Sequence, residues 1–287
     1  MAKLLEGRPV AAALRERQRA AAAALAERGV RPVLEIIRVG SREDDMAYER
    51  SASRRCGEAG VDVRATALPE GASQGQLLER IGMANRDGSV HGVLLLRPLP
   101  AGMDDEAVRN ALAPEKDVDG IGDAALARVF AGTGGGFAPC TAQACMELLD
   151  FYGYGQGLAG KRAAVIGRSL VVGRPVAMLL LARHATVTVC HTRTADMAAE
   201  CRRADILIVA AGRAGVVGEG MFSPGQVVID VGINFDEGGK MRGDADFGAA
   251  MPVVGAIAPV PGGVGGVTAS VLAGNVIEAA RRAAAGA

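Results

Sequence analysis

Residues 163–175 read Ala-Ala-Val-Ile-Gly-Arg-Ser-Leu-Val-Val-Gly-Arg-Pro. The short apolar run Ala163–Ile166 has strand character and stops at Gly167. After Gly173 the spacing of Val176, Met178, Leu179 and Leu180 predicts a helix. A strand, a glycine turn and a helix in that order aim free backbone N–H groups and the positive end of a helix dipole at one spot. That is a site for an anion. The next stretch, Thr186–Cys190, predicts a second strand, ending in His191-Thr192-Arg193-Thr194. Together they make a βαβ unit of the length a nucleotide-binding crossover needs. The second half of the chain is therefore expected to be a dinucleotide domain.

The turn reads G-R-S-x-x-x-G rather than G-x-G-x-x-G. A lone glycine turn also occurs in α/β proteins for geometry alone, so the end of the second strand carries more weight. An NAD-preferring site places Asp or Glu there to accept hydrogen bonds from the ribose 2′-OH. Here no acid follows until Asp196, whereas Arg168 and Arg193 could both approach a 2′-phosphate. The alternative is that both arginines are ordinary solvated surface groups. NADP is favoured over NAD.

The bulk composition narrows the classes. With 287 residues, 49% of them hydrophobic, the chain can bury a sizeable core and form two domains. Lys and Arg number 32 and Asp and Glu 32, so net charge gives no sign of a nucleic-acid or membrane-surface partner. Aromatics make up 3%, with no Trp, which argues against a base-stacking platform. The five cysteines (Cys56, Cys140, Cys145, Cys190 and Cys201) form no CxxC pair and have no His at ligand spacing. Neither a metal site nor a disulfide framework is expected, and a reducing cytoplasm fits. The N-terminus lacks a long apolar segment, and no apolar run reaches the length of a membrane span.

Outward from the nucleotide turn, strands alternate with helices. Residues 9–28 predict an amphipathic helix, 32–40 a strand, 44–59 a helix closing on Gly60, and 61–67 a strand. Residues 74–85 predict a helix, 90–96 an apolar strand leading into Arg97-Pro98-Leu99-Pro100, and 104–112 a helix. A short helix is expected near 124–130 and a longer one from Cys140 or Thr141 to Phe151, followed by a glycine-rich connection. Further strands are expected at 206–210, 227–231 and 256–259, a helical turn at 246–250 and a last long helix at 269–284. The class is α/β: two domains with parallel or mostly parallel sheets.

VIGRSLVVGRP, TVTVCHTRT, ADILIVAAGRAG, PGQVVIDVGIN and PVPGGVGGVT follow one another in this half. The first half holds VG at 39–40, Tyr48, Cys56, Gly60, PLP at 98–100, KDVDG at 116–120 and PCT at 139–141. In order and spacing this series resembles the methylenetetrahydrofolate dehydrogenase/cyclohydrolase family, from Leu5 to Ala280. The resemblance implies a folate-binding catalytic domain (1–145 plus 268–287) and a Rossmann-type NADP-binding domain (146–267), the last helix returning to the first. It implies folate in the cleft between them and a homodimer. It also implies oxidation of 5,10-methylenetetrahydrofolate by NADP and hydrolysis of the methenyl product to 10-formyltetrahydrofolate. On the cofactor side it assigns Gly167, Arg168, Ser169, Gly173, Arg174 and Pro175 to the phosphate region. Arg193 falls to the 2′-phosphate, and Gly232 with Ile233 to the nicotinamide end. On the folate side it assigns Tyr48, Leu96, Pro98, Asp119, Gly262 and Gly263, with Tyr48 and Asp119 closest to the chemistry.

The departures fall on that chemistry. The family lysine four residues after the tyrosine is Ala52, and the glutamine two residues before the proline of PLP is Leu96. These two are the groups expected to handle protons and the attacking water in the cyclohydrolase step. Nearby folate-side positions also differ: Ile121-Gly122-Asp123 after DG, Ala142 and Ala144 after PCT, Asp45 for a serine, and Gly266-Val267 in the GVGPMT segment. Hydride transfer needs positioning and stabilisation of a developing cation, with no proton exchanged at that carbon. Hydrolysis needs a general acid–base group, worth about 10²–10⁴-fold. Arg50, Arg54, Arg55 or Arg97 can supply charge but stay protonated. The expected enzyme is an NADP-dependent dehydrogenase with weak or absent cyclohydrolase activity. Two other readings are a homologue redirected to another substrate and a non-catalytic NADP- or folate-binding protein.

Overall fold

The computed structural model describes residues 1–286. In chain order its elements are β1 (Lys3–Leu4), α1 (Gly7–Glu27), β2 (Val33–Val39), α2 (Glu43–Glu58), β3 (Asp62–Leu68), α3 (Gln74–Arg86) and β4 (Gly92–Leu95). Then come α4 (Asp105–Asn110), α5 (Asp123–Ala131), α6 (Cys140–Phe151), β5 (Arg162–Ile166), α7 (Gly173–Ala182) and β6 (Thr186–Cys190). The chain continues through α8 (Met197–Arg203), β7 (Ile206–Val209), β8 (Val227–Asp230), β9 (Asn234–Phe235), β10 (Met241–Arg242), α9 (Phe247–Ala250), β11 (Ala256–Ala258) and α10 (Gly265–Ala285).

Two compact units result. One comprises Ala12–Cys140 and Ala269–Ala287 and holds a three-stranded parallel sheet in the order β3-β2-β4. Central β2 is apolar on both faces except at Glu35 and Arg38, as suits a parallel strand covered on both sides. Its α3-side face packs Val33, Ile37 and Val39 against Leu77, Ile81 and Ala84. A capping box opens α3: the Ser73 hydroxyl accepts from the Gln76 N–H at 3.3 Å and the Gln76 side chain accepts from the Ser73 N–H at 2.8 Å. Beyond β4, a bridge pairs Val93 with Asp117 and carries residues 116–120 alongside the sheet.

The other unit comprises Met1–Ala11 and Thr141–Thr268 and holds a six-stranded parallel sheet ordered β1-β11-β8-β7-β5-β6. Strands β7 and β8 are buried along their whole length, and β6, at the edge, keeps most residues open. The order reverses at β5, which has β6 on one side and β7 on the other. In an open parallel sheet this reversal point is where a nucleotide crevice forms.

Chain division differs from the expected 1–145 and 146–267 at the N-terminus. Lys3 and Leu4 pair with Ala256 and Ile257, and Leu5 N–H donates to the Ile257 carbonyl at 2.9 Å, which ties Met1–Ala11 to the six-stranded sheet. Helix α10 starts at Gly265, four residues before the expected 269, and its residues from Ala269 onward belong with the three-stranded sheet. Among the described residues no helix is long and apolar enough to cross a membrane.

Candidate functional site

In the three-stranded unit, α2 places Tyr48, Ala52 and Cys56 at positions i, i+4 and i+8, on one helix face. Ala52 and Cys56 are fully buried, while Tyr48 keeps 37% of its surface open. The Tyr48 phenol pKa is nonetheless raised, first by burial and then by the charges of Asp119, Cys140 and Cys56. Those three residues therefore lie within electrostatic reach of its hydroxyl. Burial also pushes the Cys56 thiol up to about 12 and the Cys140 thiol well above its ordinary value.

Asp119 sits in a tightly tied loop. The preceding Asp117 carboxylate accepts from the Ile121 and Gly122 N–H groups at 3.1 and 2.8 Å, and the Lys116 carbonyl accepts from the Val93 N–H at 2.8 Å. Asn275 of α10 donates to the Val118 carbonyl at 2.9 Å. The Cys140 thiol donates to the Val118 carbonyl at 3.4 Å, and it and the Cys140 N–H also act on the neighbouring Asp119. Burial lifts its pKa to about 6 and Asp117 adds to the rise, whereas the Cys140 hydrogen bonds and the Arg97 charge oppose it.

Ala52 and Leu96, at 0% and 6% exposure, bring only hydrocarbon to this region. Leu96 N–H extends the β4 ladder to the Ile37 carbonyl at 2.9 Å. Of the nearby arginines, Arg50 and Arg54 are exposed and Arg55 pairs with Glu58 at 3.3 Å. Arg97 differs: its Nε donates to Asp105 Oδ1 at 2.7 Å and its charge acts on Asp119. The Pro98 carbonyl accepts from Arg42 at 3.0 Å.

In the six-stranded unit the turn after β5 has the shape that the sequence predicts. Gly167 adopts φ +121°, and a Cβ there would collide with the Ala210 carbonyl; one at Gly173 would collide with the Gly167 carbonyl. The Ser169 hydroxyl accepts from the Val172 and Gly173 N–H groups at 3.1 and 3.4 Å and so closes the loop at the start of α7. Arg168 and Arg174 are exposed, and Pro175 is buried in the first turn of α7, where its missing N–H costs nothing. After β6, His191-Thr194 forms a tight turn: Thr194 N–H donates to the His191 carbonyl at 2.9 Å and Arg193 N–H to His191 Nδ1 at 3.1 Å. Arg193 is exposed. Following β8, Gly232 N–H donates to Asp230 Oδ1 at 2.9 Å, and Ile233 is 62% exposed. Gly262 accepts from Gly7 N–H at 2.7 Å, with Gly263 next to it. A collision-free glycine turn, three exposed guanidinium groups and no acid at the end of β6 fit a dinucleotide bearing a 2′-phosphate.

The expected folate-side residues thus divide. Tyr48, Leu96, Pro98 and Asp119 belong to the three-stranded unit, and Gly262 and Gly263 to the six-stranded one. Two residues escaped the sequence reading altogether, Asp230 and Asp244, buried at 3% and 0% exposure. The only signal for Asp230 was an acid ending an apolar strand, and Asp244 stands in a polar loop with none.

The sequence profile of the tetrahydrofolate dehydrogenase/cyclohydrolase catalytic domain matches residues 5–119, and that of the family's NAD(P)-binding domain matches residues 139–284. The chain is 42% identical over 281 residues to the bifunctional protein FolD of Alkaliphilus oremlandii, with 98% of each chain covered. Its structure is similar to that of the bifunctional FolD methylenetetrahydrofolate dehydrogenase/cyclohydrolase of Campylobacter jejuni, with TM-score 0.95, 37% identity, and 98% and 99% of the two chains covered. It is similar too to the Trypanosoma brucei methylenetetrahydrofolate dehydrogenase-cyclohydrolase complexed with NADP cofactor and an inhibitor, with TM-score 0.92, 34% identity, and 99% and 98% covered. With both domain profiles matched in order and relatives aligned end to end, the chain belongs to the tetrahydrofolate dehydrogenase/cyclohydrolase family.

Proposed function

We propose that this chain catalyses the NADP-dependent oxidation of 5,10-methylenetetrahydrofolate to 5,10-methenyltetrahydrofolate, and that its cyclohydrolase step is weak or lost. The observation that carries this reading is the face of α2. It holds Tyr48 within electrostatic reach of Asp119 and presents the fully buried methyl of Ala52 at the position expected for the family lysine.

Bound NADP supplies the acceptor for the hydride that leaves the methylene carbon, which is thereby left as the methenyl cation. Gly167, Arg168, Ser169, Gly173, Arg174 and Pro175 would hold its phosphates, Arg193 the 2′-phosphate, and Gly232 with Ile233 the nicotinamide end. The Asp119 carboxylate would grip the amidine-like edge of the pterin through two hydrogen bonds, a geometry that favours its ionised form. Tyr48 would pack against or hydrogen-bond the substrate, with Leu96 and Pro98 of the same unit adding to the folate surface. No side chain has to exchange a proton for this step.

Hydrolysis of the methenyl bridge differs, because water must be activated and a tetrahedral intermediate must collapse. Ala52 and Leu96 have no group for either task. Arg97 stays protonated and is held by Asp105, so it makes a poor base. The same Arg97 charge beside Asp119 favours a second reading, an NADP enzyme redirected to a related substrate. A homodimer in the cytoplasm completes the proposal.

Spectrophotometry at high enzyme concentration tests it. Reduced cofactor should form from methylenetetrahydrofolate and NADP, and methenyltetrahydrofolate should decay no faster than in buffer. No reduced cofactor would sink the dehydrogenase reading, and hydrolysis at ordinary enzymic rates would sink the cyclohydrolase one. Tight folate binding without turnover would point to a binding protein.

A further inference from the structure

Asp230 and Asp244 lie in the six-stranded unit and take six hydrogen bonds between them. Asp244 Oδ2 accepts from the N–H groups of Ala211 at 2.6 Å and Gly212 at 2.7 Å, in the loop after β7. Its Oδ1 accepts from the Asn234 side chain at 2.8 Å, beyond β8. Asp230, the last residue of β8, accepts from Gly232 N–H at 2.9 Å and Asp244 N–H at 3.0 Å on Oδ1, and from Ala245 N–H at 2.9 Å on Oδ2.

The bonds form a chain: the loop after β7, then Asp244, then Asp230, then the loop after β8. Two glycines show how closely it is packed. A Cβ on Gly232 would overlap Asp244 Oδ1, and one on Gly243 would overlap Asp230 Oδ2. Short charge-assisted bonds to backbone N–H groups are the stronger kind, and several on one carboxylate fix a loop in one conformation. Ala211 and Gly212 N–H groups are thereby engaged and are not free to bind a ligand. What the clamp offers a ligand is a fixed surface, with exposed Ile233 next to Gly232.

The geometry points to Asp230 and Asp244 as positioning residues of the cofactor site, a two-carboxylate clamp that locks the loops after β7 and β8 and so sets the surface under the nicotinamide end. This rests on the proposed role of Gly232 and Ile233 in binding that end. Both aspartates are buried away from solvent. Each acts through the backbone that it holds.

The test is calorimetric titration of the full-length protein with NADP, kinetics for both substrates, and amide hydrogen exchange in the ligand-free state. Asp244→Ala should weaken NADP binding at least about tenfold and raise the KM for NADP, leaving the KM for methylenetetrahydrofolate within twofold. Asp244→Asn keeps an oxygen for Ala211 and Gly212 and should recover most of the loss, which also covers the case in which Asp244→Ala does not fold. Exchange at Ala211 and Gly212 should accelerate in Asp244→Ala. NADP affinity unchanged despite faster exchange overturns the positioning role, and unchanged exchange overturns the clamp. Wild-type protein that fails to bind NADP removes the cofactor reading itself, and the exchange data then decide the clamp alone.

Discussion

Tyr48 and Ala52 stand one turn apart on the same face of α2, the phenol within electrostatic reach of Asp119 and the methyl shut off from solvent. A side chain at residue 52 that is long enough to climb this face would run toward the tyrosine hydroxyl. Restoring Ala52→Lys together with Leu96→Gln should therefore raise methenyltetrahydrofolate hydrolysis at least tenfold, toward the about 10²–10⁴-fold that an acid–base group contributes. The dehydrogenase rate should change far less. Decay of the methenyl absorbance and formation of reduced cofactor check the double variant against wild type.

Asp119 should impose an acid limb on kcat/KM for methylenetetrahydrofolate. Its carboxyl titrates at about 6, raised mainly by burial, and the ionised form is the one proposed to grip the pterin. Activity should therefore fall as pH drops below about 6, by up to tenfold per pH unit. Asp119→Asn should raise the folate KM and flatten the limb. A pH–rate profile for both proteins reads this directly.

The buried Asp230 predicts an unusual slope in stability. Its folded pKa of about 6 lies above the ordinary 3.8, with burial as the main cause, so the folded state binds the proton more tightly than the unfolded one. Stability from this group is thus present below about pH 4 and is lost as pH rises toward about 6, by at most about 3 kcal/mol. Urea unfolding at intervals between those pH values should show the decline in wild type. Asp230→Asn should lack that component of it, whatever its absolute stability.

Gly167→Ala tests the nucleotide turn. The residue sits at φ +121° with the Ala210 carbonyl where a Cβ would go. Strain of this kind costs about 1–3 kcal/mol, and relief requires the turn to move. The variant should melt at a lower temperature and lose most of its NADP affinity. Scanning calorimetry and NADP titration separate the two effects.

Most elements were readable because each rests on local pattern. The run Val227-Val228-Ile229 ends in a strand, and Ser73 with Gln76 opens a helix, for reasons contained in a few neighbouring residues. Three things were not readable that way. The two-residue β1 exists only by pairing with β11, about 250 residues along the chain. The seven-residue α8 was missed because it has one buried residue, Cys201, and hence no apolar stripe; Asp196 caps its start. The β9–β10 pairing joins Phe235 to Met241 across a polar turn, with no alternating pattern to announce it.

The sites divide in the same way. The expected departures at Ala52 and Leu96 rest on motif order and ungapped spacing, because register within one helix or strand is a property of the linear chain. The nucleotide turn at Gly167 was legible for the same reason. Only the tertiary structure brought Tyr48, Asp119 and Cys140 within electrostatic reach of one another, since they come from α2, a loop beyond β4 and the start of α6. Only it revealed Asp230 and Asp244, whose partners lie up to 33 residues away. A carboxylate that holds distant backbone N–H groups looks, in sequence, like any other aspartate. Its role is created by burial and by which loops the fold brings within hydrogen-bond reach.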